Sequence, residues 1–285
     1  MNVTVRPARA SDTSECARIC YQAFDTIARA HNFPPDFPDA EVAAGLTAML
    51  LAHQGVNALV AELDGKVVGS NFVDERGAIW GLGPVTVDPA VQNHGVGEQL
   101  MRAALARAEQ RRPAGVRLVQ AGYHCRSLAL YSKLGFEVRE HLSCIQGAAI
   151  RGETRGYLVR PALERDLATC NTLAVRIHGH DRGAELQDAI AHGVARVVER
   201  EGRITGYATQ IAFFGHTLGE TTDDVRALIT AAESYAGPGF LVPSRNGELL
   251  RWCLQNGLRI RQPMTLMTMG LYNEPAGAYL PSVLY

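Results

Sequence analysis

The sequence predicts an α/β protein, in the mixed-sheet α+β sense, made of two tandem halves, each a central mixed sheet flanked by helices. Three observations carry this. At 285 residues the chain is about twice as long as a ~150-residue domain. Its residues are 47% hydrophobic and 20% charged, which suits a chain that buries a core without disulfide or metal staples. The chain also repeats itself. Val5-Arg6-Pro7-Ala8 recurs as Val159-Arg160-Pro161-Ala162, Asp12 as Asp166 and Cys16 as Cys170. Glu62–Gly69 resembles Glu199–Gly206, and Leu134-Gly135-Phe136 resembles Asn256-Gly257-Leu258, in the same order. Two related domains follow, 1–146 and 156–285, with a junction at Gln146, Gly147, Gly152 and Gly156.

In chain order, a β-like run at 3–6 meets Pro7, and a helix over about 12–30 starts near Asp12. Phe33-Pro34-Pro35-Asp36-Phe37-Pro38 reads as a rigid loop. A helix over 39–53 precedes strands over 57–63 and 66–74, which turn at Gly65. A strand over 78–87 leads to a glycine-bearing loop at 92–97. Leu100, Met101, Ala104, Leu105 and Ala108 then form one stripe of a helix over 98–111. A strand over 116–121, a helix over 126–133 and a strand over 136–142 close the first half. The second half has the same outline with a less legible middle.

The net charge of −1 is balanced between the halves, with no basic tail or stripe. Nucleic acid and anionic membrane surfaces, which bind through clustered cations, are disfavoured as partners. None of the six cysteines forms a C-x-x-C pair, so a zinc ribbon or a thioredoxin-like centre is not expected. Charged residues precede the first apolar run, and no stretch of apolar residues is long enough to span a bilayer. A reducing, cytoplasmic setting is the expectation.

The informative segment is Val85-Thr86-Val87-Asp88-Pro89-Ala90-Val91-Gln92-Asn93-His94-Gly95-Val96-Gly97. A strand, a glycine loop and a helix N-terminus together make an anion site, because unpaired N–H groups and the helix dipole point at the ligand. Glycine lets the backbone approach phosphates without a Cβ.

The chain resembles the GCN5-related N-acetyltransferases, the GNAT superfamily. Their cofactor loop reads Gln/Arg-x-x-Gly-x-Gly/Ala, matched by Gln92-Asn93-His94-Gly95-Val96-Gly97 after a Val-x-Val strand and Asp88-Pro89. Ser127-Leu128-Ala129-Leu130-Tyr131-Ser132-Lys133-Leu134-Gly135-Phe136 resembles the family's Ala-x-x-Leu-Tyr-x-x-x-Gly-Phe motif. The likeness covers residues 3–142. It implies acetyl-CoA, or another acyl-CoA, as donor. Val85, Thr86 and Val87 would line the pantetheine arm as an added strand. Gln92, Asn93, His94, Gly95, Val96, Gly97 and Glu98 would hold the pyrophosphate, and Tyr131 would lie near the thioester sulfur. The family often has Asn seven residues before this Tyr. His124 stands there instead, which unsettles the usual pantetheine contact and makes His124 a candidate base. The second half lacks the loop motif and places Glu220, Asp223 and Asp224 where phosphate would sit. It resembles the degenerate copy of tandem members, and no CoA is expected there.

The expected activity is acetyl transfer from acetyl-CoA to a primary amine by direct attack, with a small-molecule or peptide acceptor and no metal. The alternative is a CoA-binding sensor or interaction module without turnover. A lysine-like amine (pKa about 10.4) must lose a proton before it attacks. Tyr131 is the candidate proton donor to the leaving thiolate. Glu62, Asp74, Glu75 and His124 are candidate bases. His178-Gly179-His180-Asp181 reads as a loop rather than a metal site, since no third and fourth ligand can be identified. The Pro-rich loop with Phe33 and Phe37 is a candidate acceptor wall. The final apolar segment with Tyr279, Leu280, Val283, Leu284 and Tyr285 is expected to dock, on its own half or across the first half's acceptor cleft. Oligomeric state is not legible.

Overall fold

The computed structural model describes residues 3–284. The first half runs β1 (Val3–Pro7), α1 (Thr13–Ala30), α2 (Ala40–Ala52), β2 (Val56–Leu63), β3 (Lys66–Asp74), β4 (Ile79–Leu82), β5 (Thr86–Val87), α3 (Val96–Arg111), β6 (Gly115–Ala121), α4 (Cys125–Lys133) and β7 (Glu137–Gln146). One strand was expected over 78–87. Two short ones stand there, interrupted by Gly83 at φ +138° and Pro84, and a proline offers no ladder N–H. The second half runs β8 (Tyr157–Pro161), α5 (Leu167–His178), α6 (Gly183–Ala191), β9 (Arg196–Arg200), β10 (Arg203–Ala208), β11 (Thr217–Gly219), α7 (Thr222–Ala231), β12 (Phe240–Pro243), α8 (Gly247–Gln255), β13 (Arg259–Gly270) and β14 (Ala278–Leu280).

The repeat has a physical core. Arg6 donates to both Asp12 carboxylate oxygens, at 2.7 and 3.0 Å, and to Glu62 at 2.5 Å. Arg160 does the same with Asp166, at 2.6 and 2.9 Å, and with Glu199 at 2.8 Å. Asp12 also accepts from Arg9 N, and Asp166 from Leu163 N. In each half this arginine ties the first strand to the turn that starts the first helix.

The strands cross the boundary between halves. One sheet has the order β1-β2-β3-β4-β6-β13-β7-β12, with β5 beside β3, and the other has the order β14-β11-β10-β9-β8. Strand β13 lies antiparallel between β6 and β7, and β7 in turn pairs with β12. Each half thus lends its last long strand to the other. The limits 146 and 156 mark a repeat in the sequence, while the sheet runs across them. The helix stripe of α3 (Val96, Leu100, Met101, Ala104, Ala108) is buried on the large sheet. Each such Leu or Met contributes about 2 kcal/mol by leaving water. Among the described residues no helix is long and apolar enough to cross a membrane.

Candidate active site

Strands β4 and β6 pair in parallel at Ile79–Gly81, while β5 stays with β3 at Gly69 and Ser70. The sheet therefore opens into a cleft between β5 and the C-terminal end of β6. Asp88 N–H donates to Val68 O at 2.9 Å. By the alternation of an antiparallel ladder, the main-chain groups of Val87 face away from β3, into the cleft. There Val87 O accepts from Gln92 Nε2 at 3.2 Å.

At one end of the cleft, α3 begins at Gly95 (φ +78°) with no side-chain cap. The first-turn amides of Val96, Gly97 and Glu98 thus lack intrahelical acceptors. The positive φ of Gly95 requires glycine, whereas Gly97 does not need to be glycine for the fold. A Cβ there would meet Val87 and Leu130 at 3.6 and 3.8 Å, an ordinary contact. The missing Cβ instead leaves the backbone open to a ligand. Arg126 from α4 donates to Asn93 Oδ1 and Gln92 Oε1, at 2.8 and 2.7 Å. It pins the loop and places a cation beside it. The resulting cavity of about 470 Å3 is lined by Val85, Thr86, Val87, Gln92, Asn93, Gly95, Val96, Gly97, Glu98, Arg126 and Lys133, and reaches Tyr131 and His124. Bare amides, two cations and an uncrowded glycine suit a pyrophosphate-bearing cofactor. His94 is exposed, its ring against Val91 O at 3.3 Å, and stands outside this wall. A larger open hollow of about 660 Å3 behind α3 shares only Lys133 with it.

A second, more enclosed cavity of about 130 Å3 adjoins the first. Phe24, Ile27, Val85, His124, Ser127 and Tyr131 line both, so the two meet at these side chains. Its remaining wall is mainly apolar, including Phe37, Leu46, Leu82, Pro84 and Leu118 from the first half. Phe213, Phe214, Met264, Val283 and Leu284 come from the second. From the Pro-rich loop, Asp36 and Phe37 line this cavity, with Phe37 edge-on to Phe24 at 5.6 Å, while Phe33 stacks on Tyr123 at 4.2 Å outside the lining. The final segment both docks on its own half, through β14, and crosses to this cavity. Tyr285 lies outside the described residues.

Tyr131 is buried, and burial pushes its phenol up to about 12, so it keeps its proton at neutral pH. His124 stands at the N-cap position of α4 without a side-chain capping bond, and its Nε2 is buried without a hydrogen-bond partner. Burial, then Arg126 and His31, push the imidazole down to about 4; it is neutral at pH 7 and only weakly basic. The carboxylates singled out in the sequence are engaged elsewhere. Glu62 pairs with Arg6, Asp74 with Arg76 and Glu75 with Arg107. The cavity carboxylate is Asp36, which sequence reasoning missed. It accepts from Gln262 Nε2 at 2.8 Å, and burial pushes its carboxyl up against the pull of Gln262 and Arg261. Its one available signal was an acid set among Phe33, Phe37 and three prolines. Gln120, whose Oε1 accepts from Ser127 at 2.7 Å, leaves its Nε2 buried and unpartnered on the same wall.

Residues 54–138 match the family model of the acetyltransferase (GNAT) domain. No curated protein matches the chain. Among solved structures, a protein assigned as an acetyltransferase from Pyrococcus horikoshii is 18% identical, with TM-score 0.76 over 97% of this chain and 92% of that one. A GCN5-related N-acetyltransferase from Sphaerobacter thermophilus is 14% identical, with TM-score 0.62 over 95% and 96%. These two likenesses extend the fold over both halves. The loop and the cleft lie in the first half with the matched segment: residues 54–138, from the turn before β2 into β7, match a GNAT acetyltransferase domain.

Proposed function

We propose that the protein is an N-acetyltransferase using acetyl-CoA, with its single cofactor site in the first half and a compact, largely apolar primary amine as acceptor. The observation that carries this is the meeting of two cavities at Val85, His124 and Tyr131. One is long and ends on bare helix amides; the other is small, enclosed and holds a carboxylate. Acetyl-CoA supplies an activated acyl thioester when bound. The outward main-chain groups of Val87, beside Val85, orient it, and the amides of Val96, Gly97 and Glu98 with Arg126 hold its phosphates. The apolar wall keeps water from the junction and leaves room for a small acceptor. Asp36, its basicity raised by burial, takes the ammonium proton directly or through a water. Neutral His124 offers a hydrogen bond at the junction, and Tyr131 gives a proton to the departing sulfur.

Calorimetric titration with acetyl-CoA tests the first step: one site per chain is expected, and two would overturn the single-site reading. Tyr131→Phe is expected to cut turnover about 10- to 100-fold with acetyl-CoA affinity unchanged, and Asp36→Asn to cut it about 100-fold. If both variants keep wild-type turnover, the proton routes are wrong.

A further inference from the structure

The second half contains its own version of the cleft, and the chain fills it. Glu220 N–H donates to Thr205 O at 2.9 Å, as Asp88 does to Val68. Gly219, paired with Gly206, therefore takes the place of Val87, paired with Gly69. The groups that Val87 turns into the open cleft are, at Gly219, turned to β14, where Gly219 faces Ala278 and Thr217 faces Leu280. Strand β14 also lies against β12, the counterpart of β6. The helix end is closed as well. Thr221 caps α7 through Asp224 N, while Asp224 accepts from Thr221 N at 2.8 Å. Glu220 is held by Arg203, Arg176 and Arg200, and the hydrogen bond from Arg203, with that from Arg176, keeps its carboxyl down at about 2.

We propose that residues 278–280 are a built-in surrogate for a cofactor arm in the second half, and that the segment they anchor sets the size of acceptor the first half accepts. The consequence for the acceptor rests on the proposed transferase reading. Beyond β14, Val283 N–H donates to Phe213 O at 2.9 Å and Ser282 Oγ to Phe214 O at 3.0 Å. Leu284 then lies on Gly81, where an added Cβ would come within 2.1 Å of Leu284 O. Anchored this way, Val283 and Leu284 reach the acceptor cavity together with Phe213 and Phe214. The second half works as a clamp that builds a wall of the first half's cavity.

Two measurements test this. Deleting residues 278–285 is expected to raise amide exchange at Thr217 and Gly219 about 100-fold or more, since main-chain bonds on that side are lost. Unchanged exchange would overturn the surrogate. Leu284→Ala, at the far end of the segment, keeps β14 in place. Thiol release from acetyl-CoA is followed with water alone and with n-butylamine, benzylamine and tryptamine. Release, relative to wild type, is expected to rise about fivefold with the largest amine that reacts, or with water if none reacts, at unchanged acetyl-CoA affinity. An unchanged size preference and unchanged hydrolysis would overturn the specificity role. Loss of acetyl-CoA binding in wild type would instead remove the transferase reading while leaving the exchange result standing.

Discussion

Gly97→Asp is expected to lower acetyl-CoA affinity by about 100-fold or more, equivalent to about 2.7 kcal/mol, while the unliganded protein keeps its melting temperature. The fold has room for the new Cβ, with ordinary contacts to Val87 and Leu130. An acidic side chain in the first turn is also locally favourable, by about 0.3–1 kcal/mol. The same carboxylate would occupy the unpaired amides and stand against a phosphate. At ~4 Å and partial desolvation that repulsion is about 4 kcal/mol per charge pair. Gly97→Ala adds bulk without charge and should cost about tenfold. Titration calorimetry together with a thermal melt separates the two effects. Wild-type affinity in Gly97→Asp would take the pyrophosphate away from α3.

The second large effect is acid lability. His178 Nε2 lies 3.0 Å from His216 Nε2, so the pair shares one hydrogen, and both rings pack on Tyr279 of β14. Burial, with Arg182 nearby, holds both imidazoles well below their ordinary value. His180 is pushed down to about 4 by burial and Arg182. In the unfolded chain these rings titrate near about 6.5. The folded state therefore binds fewer protons between pH 6.5 and 4. The stability gained from neutral rings is complete above about 6.5 and is lost as pH falls through that window. A displacement of the size of His180's corresponds to about 3 kcal/mol at about 1.36 kcal/mol per unit. Asp36 and Glu140, whose carboxyls are raised by burial, act in the opposite sense. Urea midpoints at pH 7.5, 6, 5 and 4.5 should fall steeply, and His216→Gln should flatten the dependence. Equal slopes in the two proteins would mean that the pair is not the cause.

The elements of the first half were legible because their periodicity is strong. The helix stripe around Leu100 and the Asp64-Gly65 turn are local signals, and apart from the run over 78–87, which is split at Gly83 and Pro84, the strands and helices stand within a few residues of their expected limits. Most of the larger cavity's wall was legible for the same reason: Val85 to Glu98 is one continuous segment. The wall of the smaller cavity was not. Asp36 and Gln262 meet from distant parts of the chain, and Phe213, Phe214 and Leu284 reach the cavity only through the exchanged topology. Glu62, Asp74 and Glu75 looked equally available, since nothing local announces Arg6, Arg76 or Arg107 as their partners. The repeat between Arg6 and Arg160 was visible as sequence, but the strand crossing is a long-range pairing with no local signature.

The insertion of β13 between β6 and β7 has a consequence for how the chain is made. When β7 leaves the ribosome, neither β12 nor β13 has been synthesised. The nascent first half then carries open β edges on one side of β6 and on both sides of β7, until most of the second half has emerged. Open edges pair with whatever strand is offered, and such long-range closure is slow. A second nascent chain offers the same β13, so crowded polysomes favour exchange between molecules as well as within one.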